Sequence, residues 1–85
     1  MDYNSEILDL IVDIAQVSKE DIQKIEDLNL LEDLHFDSLM IVELLVKIEE
    51  KYMFEFDFGI LNLDNIYNFN SLITTVKELL KEHEL

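Results

Sequence analysis

One glycine and no proline in 85 residues leave this chain few places to make a tight reversal. Two-residue hairpins and closed barrels need repeated positions of positive φ, which glycine supplies at least cost. A chain with Gly59 alone is expected to build helices, joined by loops in which asparagine and aspartate turn the backbone. Asn62, Asn65, Asn68 and Asn70 stand where such loops are expected. Hydrophobic residues make up 49% of the chain, enough for one compact core, while the length leaves no room for a second. The expectation is an all-α fold in a single domain spanning residues 1–85.

Apolar spacing divides the chain into segments. Ile7, Leu8, Leu10, Ile11, Ile14 and Ala15 share one broad helical face, with Glu6, Asp9, Asp13 and Gln16 opposite. Asn4 or Ser5 is suited to cap the start of this helix. Residues 18–37 keep no sustained period. Ser18 and Asp21 have capping-box spacing, which predicts a short helical turn. Ile25, Leu28, Leu30, Leu31 and Leu34 predict an ordered loop pinned to the core, and a structured loop of that length is often functional. A long helix is predicted over Ser38 to Tyr52, with Asp37 as its N-cap. Phe54 to Phe58 alternate like a strand, but no other segment could pair with them, so an extended connection is expected. A short third helix over Asp64 to Tyr67 and a last helix from Asn70 or Ser71 complete the pattern. On that last helix Leu72, Ile73, Val76, Leu79 and Leu80 face inward, and Lys77, Glu78 and Lys81 outward. The sum is a four-helix bundle with a long first loop and a short third helix.

The central helix has two apolar arcs. At about 100° per residue, Ile41, Leu44, Leu45, Ile48 and Tyr52 form the natural core face. Leu39, Val42 and Val46 project elsewhere, interleaved with Glu43, Glu49 and Glu50. Periodicity alone favours a second stripe covered by the 18–37 loop or by the short third helix. The competing reading is an exposed strip ringed by carboxylates, a docking surface for a partner with an apolar groove and a basic rim.

Composition narrows the function. Twenty acidic residues against six basic give a formal net charge of −14. Phosphate backbones need clustered lysine and arginine, so nucleic acid is excluded as a partner, and an anionic membrane surface is disfavoured for the same reason. Partners with basic patches are favoured, through association that weakens as salt rises. Cysteine is absent, which removes disulfides, thiolate metal sites and cysteine nucleophiles. No leader pattern and no membrane-spanning apolar run is visible, so a free-standing cytoplasmic protein is expected. Asp33, His35, Asp37 and Ser38 contain the ingredients of a serine hydrolase. Four residues within six positions rarely place base, orienting group and oxyanion hole correctly, and no glycine-rich turn accompanies them. His35 has only His83, on the far helix, as a second imidazole for a metal. Asp27-Leu28-Asn29 begins like a calcium loop but lacks the required glycine and later acidic ligand.

Asp37-Ser38-Leu39, followed by Val42-Glu43-Leu44, Ile48-Glu49-Glu50 and Tyr52, closely resembles the second helix of acyl carrier proteins. Leu31, Asp33 and Leu34 match the loop leading into it. Phe69-Asn70-Ser71-Leu72, with Val76 beyond, resembles the start of the family's last helix in its peptidyl and aminoacyl forms. The resemblance implies a carrier, not an enzyme. Ser38, flanked by Asp37 and Leu39, would be joined by a phosphodiester to 4′-phosphopantetheine, transferred from coenzyme A by a phosphopantetheinyl transferase. The terminal thiol would carry acyl or aminoacyl groups as thioesters. An acyl- or aminoacyl-loading enzyme and synthase or transferase enzymes of fatty-acid, polyketide or nonribosomal-peptide-type synthesis would be the further partners of a monomer. The resemblance also assigns docking to Leu39, Met40, Val42, Glu43, Val46, Glu49 and Glu50, reversing the order of the two readings of the second stripe.

Three positions depart from the family. His35 stands where glycine is usual, which implies either a loop that needs no positive φ there or strain absorbed locally. Met40 and Ile41 replace residues often polar in the fatty-acid type. The alternative reading from another class is a small acidic helical adaptor that uses the same strip and bears no prosthetic group.

Overall fold

The computed structural model describes residues 2–57 and 63–83. Among these residues six helices follow one another: α1 Tyr3–Ala15, α2 Lys19–Gln23, α3 Leu30–Leu34, α4 Ser38–Tyr52, α5 Leu63–Tyr67 and α6 Phe69–His83. The three long ones and α5 are the expected bundle. The two five-residue helices α2 and α3 lie inside what the sequence presents as the long first loop. Among the described residues the only β-type pairing is an isolated antiparallel bridge between Asn29 and Asn68. Phe58, Gly59 and Asn62 lie outside the described residues.

α1 packs on α4, α6 and α2, and α5 packs on α6. One core joins them. Ile7 and Ile11 of α1, Ile41, Leu44, Leu45 and Ile48 of α4, and Leu72, Ile73 and Val76 of α6 are buried together. Ile22, Leu28, Leu30 and Phe36 pin the first loop to that core. Ile25 and Leu31, expected to help, remain exposed. The extended segment after α4 contributes Phe54 and Phe56, buried and packed edge-to-face with centroids 4.9 Å apart.

Helix starts differ from the sequence reading wherever a nearer acceptor was available. α1 is capped by Asp2, whose Oδ1 accepts from the Ser5 N–H at 3.2 Å, not by Asn4 or Ser5. The Tyr3 ring packs edge-on against Tyr52 at 5.4 Å, drawing the first turn onto the fold. The Ser5 hydroxyl instead accepts from Lys19 Nζ at 2.9 Å, and the same ammonium lies 2.8 Å from Asp9. α2 does follow Ser18, but the Ser18 side chain makes no capping bond. α6 begins at Phe69, because Asn68 Oδ1 accepts from the Ser71 N–H at 3.0 Å. Asn65 and Asn70 thus sit within helices, and Asn68 alone of the described trio marks a junction. That junction is tied to the first loop by Asn68 Nδ2 donating to Asp27 at 2.7 Å and the Phe69 N–H donating to Leu28 O at 2.9 Å.

Glu6, placed on the outer side of α1 by its helical angle, is turned inward by Tyr52. The Tyr52 hydroxyl donates to Glu6 Oε1 at 2.9 Å, and Lys51 Nζ approaches the same oxygen at 3.9 Å. This knot holds the end of α4 to the start of α1. Burial first, then the hydrogen bond to Glu6 and its negative charge, raise the Tyr52 phenol well above the ordinary tyrosine range.

Candidate functional site

The candidate site is assembled at the start of α4 by α3 and the reversal that follows it. Asn29 caps α3 through its Oδ1, which accepts from the Glu32 N–H at 2.9 Å, while Asp33 reaches back to accept from the Asn29 N–H at 2.8 Å. The reciprocal pair fixes this short helix. α3 then ends on His35, whose backbone is left-handed at φ 57° and ψ 36°. The His35 N–H donates to Leu31 O at 3.1 Å and the Phe36 N–H to Leu30 O at 3.0 Å. This is the paired C-terminal closure usually made with glycine. Positive φ is therefore required at His35, and the reading of a loop without it is overturned. Histidine enters this region more readily than most residues with a Cβ.

Phe36, fully buried, anchors the chain between the two helices. Asp37 is the N-cap of α4, its Oδ1 accepting from the Met40 N–H at 2.9 Å, and Asp37 O accepts from Ile41 at 3.0 Å. Ser38 is then the first residue of α4, and it is exposed. Its hydroxyl makes no hydrogen bond within the described residues. The first-turn N–H groups of Ser38 and Leu39 have no intrahelical acceptor. α1, α2 and α3 each carry acidic residues in the first turn, whereas α4 carries none, so its positive end is offset only by Asp37. No hydrogen bond links Asp33, His35 and Ser38. Asp33 and Asp37 each accept a helix-capping N–H bond instead.

The family model for the phosphopantetheine attachment site matches residues 5–81. The chain belongs to this family. No curated protein matches it significantly. It is a phosphopantetheine-carrying carrier protein, a non-catalytic one, and its cofactor is 4′-phosphopantetheine. The residues present fit that group: an exposed hydroxyl free of competing bonds, at a helix N-terminus able to receive a phosphate ester.

On the carrier's α4, Leu39 keeps 79% of its surface, Val42 46% and Val46 39%. Neither the first loop nor α5 covers them. Glu43 and Glu50 beside them are exposed. Met40 is half-buried against the core and adds less to this strip than its position in sequence implies. Glu49 is half-buried, and its Oε2 accepts from the Phe56 N–H at 2.7 Å, so it holds the extended segment against α4. Met53, which sequence reasoning passed over, is 90% exposed. Its signal was present: it follows Val46 by seven residues, the next step of the same helical repeat. Among the described residues no helix is long and apolar enough to cross a membrane.

Proposed function

We propose that Ser38 is the residue that bears phosphopantetheine, with Asp37 holding the helix end open and Leu39 beginning the surface that partners read. The observation that carries this reading is the exposed, unengaged Ser38 hydroxyl on the first residue of α4. A phosphodiester there gains from the free first-turn N–H groups and from the helix dipole, worth roughly 0.3–1 kcal/mol at an exposed end. The group supplies, when attached, a thiol on which acyl or aminoacyl cargo is held as a thioester, in a chain that has no cysteine of its own.

The outer strip of α4, with Leu39, Val42 and Val46 flanked by Met40, Glu43 and Glu50, is the docking surface in this reading. Glu49 acts through Phe56 and shapes one edge of it. The partners are a phosphopantetheinyl transferase, a loading enzyme, and synthase or transferase enzymes of fatty-acid, polyketide or nonribosomal-peptide-type synthesis. Basic patches on them match the −14 charge, which also opposes self-association and supports a monomer.

The test is intact mass after incubation of the apo protein with coenzyme A and a phosphopantetheinyl transferase. Wild type is expected to gain one phosphopantetheine. Ser38→Ala is expected to gain none while keeping its helicity and thermal midpoint, since an exposed first-turn side chain contributes little to the core. Loading of Ser38→Ala would move the site elsewhere. A wild-type chain left unmodified while a control carrier loads would favour the adaptor that bears no group.

A further inference from the structure

A group attached to Ser38 joins an acidic neighbourhood. Between Lys24 and Lys47 the sequence holds six carboxylates, Glu26, Asp27, Glu32, Asp33, Asp37 and Glu43, and no lysine or arginine. The one side chain in that stretch able to become cationic is His35, three residues before Ser38. A phosphodiester at Ser38 adds a further negative charge directly beside Asp37. The first-turn N–H groups and the helix dipole offset part of it, and they do so equally at every pH.

His35 is placed to supply the rest. Its left-handed backbone is accounted for by the two bonds that close α3, and glycine would close that helix with less strain. The imidazole is what histidine adds there. It is exposed and makes no hydrogen bond or ion pair among the described residues. Of the carboxylates around it, Asp27 accepts from Asn68, Asp33 from the Asn29 N–H and Asp37 from the Met40 N–H. Glu26 before α3, Glu32 on α3 and Glu43 on α4 stand exposed. Lys47, the first lysine of α4, is nine residues past Ser38, about 13 Å along the axis. The Cα atoms of His35 and Ser38 are at most about 11 Å apart even in a fully extended link. That link is held by the α3 closure, by buried Phe36 and by the Asp37 cap. An imidazole and a seryl phosphate each extend several ångströms from their own Cα, so together they close the span.

Building on the attachment at Ser38 proposed above, we infer that His35 is a positioning residue for the prosthetic arm: its imidazolium pairs with the phosphodiester and holds the root of the arm against the link between α3 and α4. The hold is present while the ring is protonated and is lost as pH rises through the imidazole range, which borders neutrality. On the acid side the root of the arm is fixed, and on the alkaline side it is free. Because the pair forms only once the phosphate is on Ser38, it bears on the loaded carrier and not on the apo chain.

The experiment follows the phosphorus NMR resonance of the holo protein, loaded from coenzyme A by a phosphopantetheinyl transferase, from about pH 5 to 8. A phosphate monoester loses its second proton at about pH 6, but a diester has none to lose there, so any titration of its resonance reports a neighbour. Wild type is expected to show one titration, in the imidazole range. His35→Asn, neutral and suited to a left-handed backbone, is expected to show none. His35→Lys is expected to stay at the acid-side position of wild type throughout. His83→Gln, which removes the other histidine, is expected to titrate as wild type does. A flat wild-type curve, or a titration that His35→Asn keeps, would overturn the inference. Fragment masses of the same samples locate the group. With the group on Ser38, a flat curve refutes the role of His35 alone. A group on another residue would overturn the attachment at Ser38 and this inference with it.

Discussion

Ile41, Leu44, Leu45 and Ile48 are fully buried, whereas Leu39, Val42 and Val46 on the same helix stay exposed by 79%, 46% and 39%. The two sets are alike in chemistry and differ only in helical angle. The inner set removes its whole apolar surface from water, at roughly 25 cal/mol per Å², and holds α4 to α1 within the common core. The outer set gains little of this. Isolated apolar residues on a surface need no explanation, but three at helical spacing, ringed by carboxylates, form a patch of the kind that serves association. One helix thus serves the fold with one face and leaves the other exposed, the face that the proposed docking would use.

The largest test of that contrast is Ile48→Ala. Emptying a fully buried core position should lower stability by about 2–5 kcal/mol, read from denaturant midpoints. A loss within the range of surface substitutions would mean that the inner face is loosely packed and the contrast weaker than burial indicates.

Next in size is Tyr52, where the inner face ends. Tyr52→Phe removes the donor to Glu6, and a loss of about 1–2 kcal/mol is expected for a partly exposed bond to a carboxylate. The folded phenol holds its proton more tightly than the unfolded one, because its range is raised. Its stabilisation is therefore complete below the unfolded value of about 10 and is lost as pH rises through the folded value. Thermal midpoints taken from about pH 8 upward should fall more steeply in wild type than in Tyr52→Phe. Parallel curves would show that the Glu6 bond does not form in solution.

A smaller effect, of opposite sign, is expected where the outer face begins. His35→Gly relieves a left-handed backbone and should raise stability by about 1 kcal/mol, seen as a higher midpoint with unchanged loading. A lower midpoint would show that the imidazole contributes a contact that outweighs the strain.

The bounds of α4, its Asp37 cap and its buried arc were all legible in the sequence, because each rests on local rules acting along one regular helix. The start of α1 was not. Asp2 wins there through Tyr3 stacking on Tyr52, a contact 49 positions away in the chain that no local spacing reveals. The scarcity of glycine pointed correctly to helices. It did not mean a scarcity of positive φ, which Gln16, Asp27, His35 and Met53 all adopt. Three of the four end helices, where the closing hydrogen bonds offset the strain. At the site, Ser38 and its cap were readable from Asp37-Ser38-Leu39. The outer strip of α4 was readable only as a face, since which of its members the rest of the chain covers is decided by tertiary packing. Glu49 shows the difference: its spacing places it with Glu50, but the Phe56 N–H claims its carboxylate.

The most direct measurement sets the two faces side by side: the transferase loading rate of Val46→Ala and Ile48→Ala, each under conditions where it is folded, against its unfolding midpoint. Val46→Ala is expected to lose well under 1 kcal/mol, as for a half-exposed position, and to load more slowly, while folded Ile48→Ala loads at the wild-type rate. A Val46→Ala protein destabilised as much as Ile48→Ala yet loading normally would place the outer strip in the core and contradict the account.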